Sequence, residues 1–76
     1  MPQPPTITIH TDSGPLPLPW ACPLDEAVKR LLAESGKDPA SVATAVNGQF
    51  VPRHARPAHI LSEGDTVLCF APITGG

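Results

Sequence analysis

The sequence predicts an α+β fold: a mixed sheet of four to five strands with one main helix on one face. Three observations lead there. Thr6–His10 and 66–71 alternate or run apolar like strands. Residues 23–35 carry a single amphipathic helical pattern. Asn47-Gly48 sits between two short apolar runs, the strongest short hairpin signal. A chain of 76 residues has room for one small core, so residues 1–71 are expected to form a single domain. Residues 72–76 are expected to be a flexible tail ending in Gly75-Gly76.

The elements follow in order. Ile7 and Ile9 fall on one face of a half-buried strand, Thr6–His10, and Asp12-Ser13-Gly14 has turn chemistry. The next stretch, Pro15-Leu16-Pro17-Leu18-Pro19-Trp20, has proline at every second position. Alternate N–H groups of a strand point to opposite edges. All the missing donors therefore fall on one edge, and the other edge can still pair. This strand must lie at the border of its sheet, where its prolines also discourage edge-to-edge association.

In the helical segment, Leu24, Ala27, Val28, Leu31 and Leu32 form one apolar face. Pro23 suits the first helical position, and Asp25 and Glu26 suit the positive end of the helix dipole. Gly36 suits the stop. Val42–Val46 reads as a strand, Gln49-Phe50-Val51 as its return, and Pro52 as the end of that return. Residues 53–65 read as a long connection with room for a short helical turn, closing on Glu63-Gly64-Asp65. If the first and last strands lie side by side, they run parallel and leave the proline strand at the border. This is the β-grasp, or ubiquitin-like, arrangement.

Composition excludes several functions. A net charge of −2 with five basic residues is too little for a nucleic-acid footprint. No apolar run approaches the length of a membrane span, and no signal peptide is visible, so a cytoplasmic protein is expected. Two cysteines do not make a disulfide framework. The 11 prolines are dispersed, which favours punctuation of strands and loops over a Pro-rich ligand tract.

No side-chain constellation reads as catalytic. The serines lack a nucleophile-elbow context, and no glycine loop could cradle phosphate. His10, His54, His59, Cys22 and Cys69 lack metal-ligand spacing, so no metal is expected. Cys69 reads as a core thiol. Cys22 precedes the helix, where a thiol pKa can fall, although a plain structural position is the simpler reading. Arg53 and Arg56 read as a local basic patch on a solvated loop.

The last strand is more informative. If Val67 and Cys69 face the helix, Leu68 and Phe70 face away and become a docking surface beside the terminus. Pro72 ends the pairing, and Ile73 and Thr74 serve as spacer and contact residues. Residues 73–76 reach roughly 13 Å when extended, at about 3.3 Å per residue. Gly75 and Gly76 can thread a narrow slot and leave the terminal carboxylate open. A carboxylate is a poor electrophile until it is converted to an acyl adenylate. Nothing in this chain reads as able to do that, so it would be another enzyme's substrate.

The run Val46-Asn47-Gly48-Gln49-Phe50-Val51-Pro52-Arg53, the turn Glu63-Gly64-Asp65 and the terminal Gly75-Gly76 resemble the ThiS family of sulfur carriers of thiamine thiazole biosynthesis. The resemblance covers about residues 24–76, with the first hairpin matching only in pattern. It implies that an E1-like adenylyltransferase, using ATP, adenylates Gly76. It also implies that a sulfur-transfer enzyme helps load a Gly76 thiocarboxylate, and that thiazole synthase takes the sulfur. No cofactor is expected on the chain itself. The proline-rich first third and the Arg53–His59 loop depart from the family pattern. Alternatives of related fold are the small subunit of molybdopterin synthase and a ubiquitin-like adaptor without chemistry. A redox or metal protein using Cys22 and Cys69 is a further alternative.

Overall fold

The computed structural model describes residues 5–33 and 35–71. The chain enters with β1 (Thr6–Thr11) and turns through Asp12-Ser13 into β2 (Gly14–Pro19). It then forms α1 (Leu24–Leu32), a 3₁₀ turn (Pro39–Ser41), β3 (Ala43–Val46) and β4 (Gln49–Val51). A second 3₁₀ segment (Arg53–Ala58) leads to β5 (Val67–Phe70).

β1 and β2 pair antiparallel, with Ile7 opposite Leu18 and Ile9 opposite Leu16. The prolines of β2 stand opposite His10, Thr8 and Thr6, so every ladder bond falls on a residue that still has its N–H. The proline strand is therefore at a sheet border, as the alternation requires.

β3 is the centre of a second ladder in the order β4-β3-β5, with both pairings antiparallel. The two ladders do not merge into one continuous sheet. They meet at a single parallel bridge, His10 with Thr66. The outward backbone groups of β1 are taken up instead by the Glu63-Gly64-Asp65 turn. His10 N–H bonds the Asp65 carbonyl at 2.8 Å, and Gly64 N–H bonds the Thr8 carbonyl at 2.9 Å. Glu63 Oε1 accepts from Thr8 N–H at 3.1 Å. First and last strands are thus parallel neighbours, with the turn filling most of the seam.

The helix is shorter than the periodicity suggests. Pro23 is extended (φ −74°, ψ 156°) and caps α1 instead of opening its first turn. No side chain caps this end. The Leu24 N–H is satisfied from across the fold by the His59 carbonyl, at 2.8 Å. At the other end Gly36, at φ +72°, bonds the Leu32 carbonyl through its N–H at 3.1 Å. That is the left-handed stop a glycine permits. The other boundaries move by a residue: β2 stops before Trp20, β3 starts after Val42, and β5 covers 67–70 instead of 66–71.

The core lies between α1 and both ladders. Leu24, Ala27 and Val28 from the helix are fully buried, as are Ile9 and Val67. Leu18 and Leu61 close it. Each fully buried Leu, Ile or Val contributes roughly 1.5–3 kcal/mol relative to exposure. This small set therefore carries most of the stability of the domain.

Candidate functional site

The candidate site is the end of β5 and the sheet face it shares. Pleating sends Val67 inward, fully buried, and Cys69 to a half-buried position beside the core. Leu68 and Phe70 are 40% and 44% exposed on the opposite face. Register extends that face across the ladder. Ala45 stands opposite both Leu68 and Phe50, and Ala43 stands opposite Phe70. Phe50 is the most exposed large apolar side chain of the set, at 64%. The small alanines between the aromatic and leucine side chains leave a shallow apolar surface three strands wide.

Phe50 was not among the residues that sequence reasoning assigned to this face. The signal was present: Val51 is buried, and alternation sends its neighbour Phe50 to the other side. Its membership of the Leu68 face depended on cross-strand register, which the alternation of one strand does not supply.

A cleft of about 480 Å³ opens where β5 ends. Leu31, Leu32 and Val42 form its apolar wall, Phe70 and Ala71 its border, and Asp12 and Lys37 contribute charge of both signs. Ala71 is the last described residue. The expected site residues Pro72, Ile73, Thr74, Gly75 and Gly76 lie outside the described residues.

The connection before β5 corrects one expectation. Arg56 is not part of a solvated basic patch but is buried, at 3% exposure. Its Nε donates to Thr44 Oγ1 at 3.1 Å, Nη1 to the Pro39 carbonyl at 3.0 Å and Nη2 to the Val42 carbonyl at 2.6 Å. Thr44 passes the chain on, donating to the Val51 carbonyl at 3.0 Å. Arg53 is exposed, with one long bond to the Ala40 carbonyl at 3.3 Å. The two arginines therefore have unlike jobs, and Arg56 fixes the approach to β3.

Asn47 and Asp65 join the hairpin to the turn before β5. Asn47 Nδ2 donates to Asp65 Oδ1 at 3.0 Å, and Asn47 Oδ1 accepts from Thr66 N–H at 2.9 Å. The second carboxylate oxygen of Asp65 accepts from Ser62 N–H at 2.8 Å. The sequence signature that spans these two turns thus acts as a clamp on the start of β5.

Neither thiol is activated. Cys22 is buried at the start of α1, and its Sγ lies 3.5 Å from the Pro23 carbonyl oxygen. Burial pushes its pKa above the ordinary thiol value, against a smaller opposing pull from Arg30. Burial also raises Cys69, again outweighing a nearby arginine, Arg56. The lowered pKa that a helix start can produce does not occur at Cys22. Among the described residues no group of three or more His, Cys, Asp or Glu side chains could hold a metal ion. His54 is exposed, and His59 contributes its backbone carbonyl to α1.

This geometry is that of a fold with an exposed sheet face that runs to the end of β5. The family model described as the ThiS family matches residues 22–76. The chain belongs to the ThiS family. The sulfur carrier protein ThiS of Escherichia coli (strain K12) is 38% identical over 55 residues, covering 72% of this chain and 83% of that relative. Among solved structures, a crystal structure of thiamine biosynthesis protein ThiS from Geobacter metallireducens aligns with a TM-score of 0.65 at 25% identity. It covers 92% of this chain and 100% of that one. Caldiarchaeum subterraneum ubiquitin aligns with a TM-score of 0.58 at 16% identity, over 93% of this chain and 96% of its own. At that identity the likeness is one of fold, and it agrees with the β-grasp arrangement of ThiS-family chains.

Proposed function

We propose that this chain is a sulfur carrier protein that acts as a co-substrate and not as an enzyme. The observation that carries the reading is the family match over residues 22–76, which runs to the terminal glycine. The 38% identity to the Escherichia coli sulfur carrier supports it. In this reading an E1-like adenylyltransferase joins the Gly76 carboxylate to AMP from ATP and releases pyrophosphate. The mixed anhydride gives the acyl carbon a good leaving group. Sulfide supplied by a sulfur-transfer enzyme then attacks the acyl carbon as HS⁻, AMP leaves with the bonding pair, and loss of the thiol proton gives the Gly76 thiocarboxylate. Thiazole synthase consumes that sulfur in the cytoplasm.

The residues of this chain position the carboxylate. In this reading Gly75 and Gly76 pass through a narrow channel in the partner, and Pro72, Ile73 and Thr74 span the distance from the end of β5. Leu68 and Phe70 dock the sheet face against the enzyme. No cofactor is held by the chain, and ATP belongs to the partner. The raised thiol pKa values favour terminal loading over loading on cysteine.

The test is intact mass after incubation with ATP, the adenylating enzyme and a sulfur donor. An oxygen-to-sulfur gain mapped to Gly76 is expected, and a Cys22→Ser, Cys69→Ser double variant should gain it equally. Sulfur found on a cysteine, with Gly76 unchanged, would sink the reading.

A further inference from the structure

The two outer sheet edges differ in chemistry. On β2 the outward backbone groups between residues 15 and 19 belong to Pro15, Pro17 and Pro19, because Leu16 and Leu18 face Ile9 and Ile7 in the ladder. Proline has no N–H. That edge presents carbonyls without donors and cannot complete a ladder with an incoming strand.

The edge of β4 keeps a full outward donor and acceptor at one residue, Phe50; the next outward position is Pro52, which has no N–H and whose carbonyl accepts from Ala55 N–H at 2.9 Å. Val46 and Gln49 flank the two-residue turn Asn47-Gly48 and face each other, which places them in the hydrogen-bonded phase. Thr44 and Val51 repeat that phase two residues on. Phe50, between them, points its N–H and C=O away from β3. The far side of β3 agrees: Asn47 N–H reaches the Thr66 carbonyl at 2.8 Å, so positions 45 and 47 face β5. Among the described residues nothing bonds the outward N–H and C=O of Phe50.

We propose that the adenylating partner adds an extended segment of its own chain along β4, pairing with the Phe50 N–H and C=O. This rests on the carrier reading and names the contact by which the carrier is oriented. A donor and an acceptor on a pleated edge, beside an exposed apolar side chain, match a peptide backbone with alternating side chains. Phe50 and Leu68 lie in one row through Ala45, so the added segment continues the exposed face. Apolar contact alone is non-directional and lets the sheet rotate on its partner. Backbone bonds at β4 fix the strand direction. The β4 edge lies about 10 Å from β5, at about 4.8 Å per strand, so they also fix where the strand leading to Gly76 points.

Two substitutions separate edge pairing from face contact. Phe50→Ala removes the ring and keeps the N–H, whereas Phe50→Pro removes both. An edge strand tolerates proline where the N–H faces outward. Titrated calorimetrically against the cognate adenylating enzyme, Phe50→Pro should bind about three- to tenfold more weakly than Phe50→Ala, the worth of one hydrogen bond. Equal affinities overturn the proposal. If the proline variant does not fold, hydrogen exchange of the wild-type Phe50 amide decides. Slowed exchange in the saturated enzyme complex supports edge pairing, and unchanged exchange overturns it. Protection of that amide in a dimer of the free chain, seen by sedimentation, assigns the edge to a second copy and overturns it too. Failure of the wild type to bind the enzyme at all overturns the carrier reading with it. Binding with Phe50 unprotected overturns the edge alone.

Discussion

Arg56 carries more structural consequence than any other single polar residue described. Its guanidinium satisfies acceptors on Pro39, Val42 and Thr44 from one planar group. Truncation leaves the buried Thr44 hydroxyl and the part-buried Pro39 and Val42 carbonyls without that donor. Arg56→Ala should therefore lower stability by about 3 kcal/mol in urea unfolding. Arg56→Lys should recover little of it, since one ammonium on a flexible stem cannot reproduce the fork. Arg53→Ala, at an exposed site, should change stability by no more than about 0.5 kcal/mol. Nothing local in the sequence separates these two arginines, three residues apart in one loop. The difference comes from Thr44 and Val42, which the fold brings beneath one of them. The cysteines were more legible in part. Alternation put Cys69 inward, but only the packed helix start shows that Cys22 is buried enough for its pKa to rise.

The β3–β4 hairpin was readable as an element because Asn-Gly at two-residue spacing matches the left-handed turn it needs. Asn47 and Gly48 have φ of 52° and 82°. What the hairpin does for its neighbour was not readable. The Asn47 side chain ties it to Asp65 and Thr66, eighteen and nineteen positions away in the chain. Asn47→Ala should cost about 2–3 kcal/mol in thermal or urea unfolding, from two lost bonds and a left-handed alanine. Gly48→Ala isolates the backbone cost. A Cβ there meets nothing within 4 Å, so its penalty of about 1–2 kcal/mol is conformational alone. An Asn47 variant no worse than the Gly48 variant would mean the clamp adds nothing. The helix shows the same division. Its apolar face follows from spacing, whereas its start is set by the His59 carbonyl that receives Leu24 N–H.

Among the described residues, one face of the β4-β3-β5 ladder packs under α1 and the other stays open beside the end of β5. Leu68→Asp and Phe70→Asp test that division of labour. Both side chains are substantially exposed, so the melting temperature should shift only slightly. Affinity for the adenylating enzyme should fall at least about tenfold, the loss of roughly 1.4 kcal/mol. Unchanged affinity in both variants would remove this face from the docking surface. The sequence by itself determined the β-grasp class, the proline border, the hairpin and the inward and outward sides of β5. Each follows from a local rule of period two, period 3.6, a missing N–H or a left-handed turn. It also placed the Gly-Gly terminus within a family signature. Tertiary structure alone decided that Arg56 is buried, that Phe50 joins the Leu68 row and that the seam between ladders is filled by a turn. Those depend on register and long-range approach, which bring together residues with no local signal of each other.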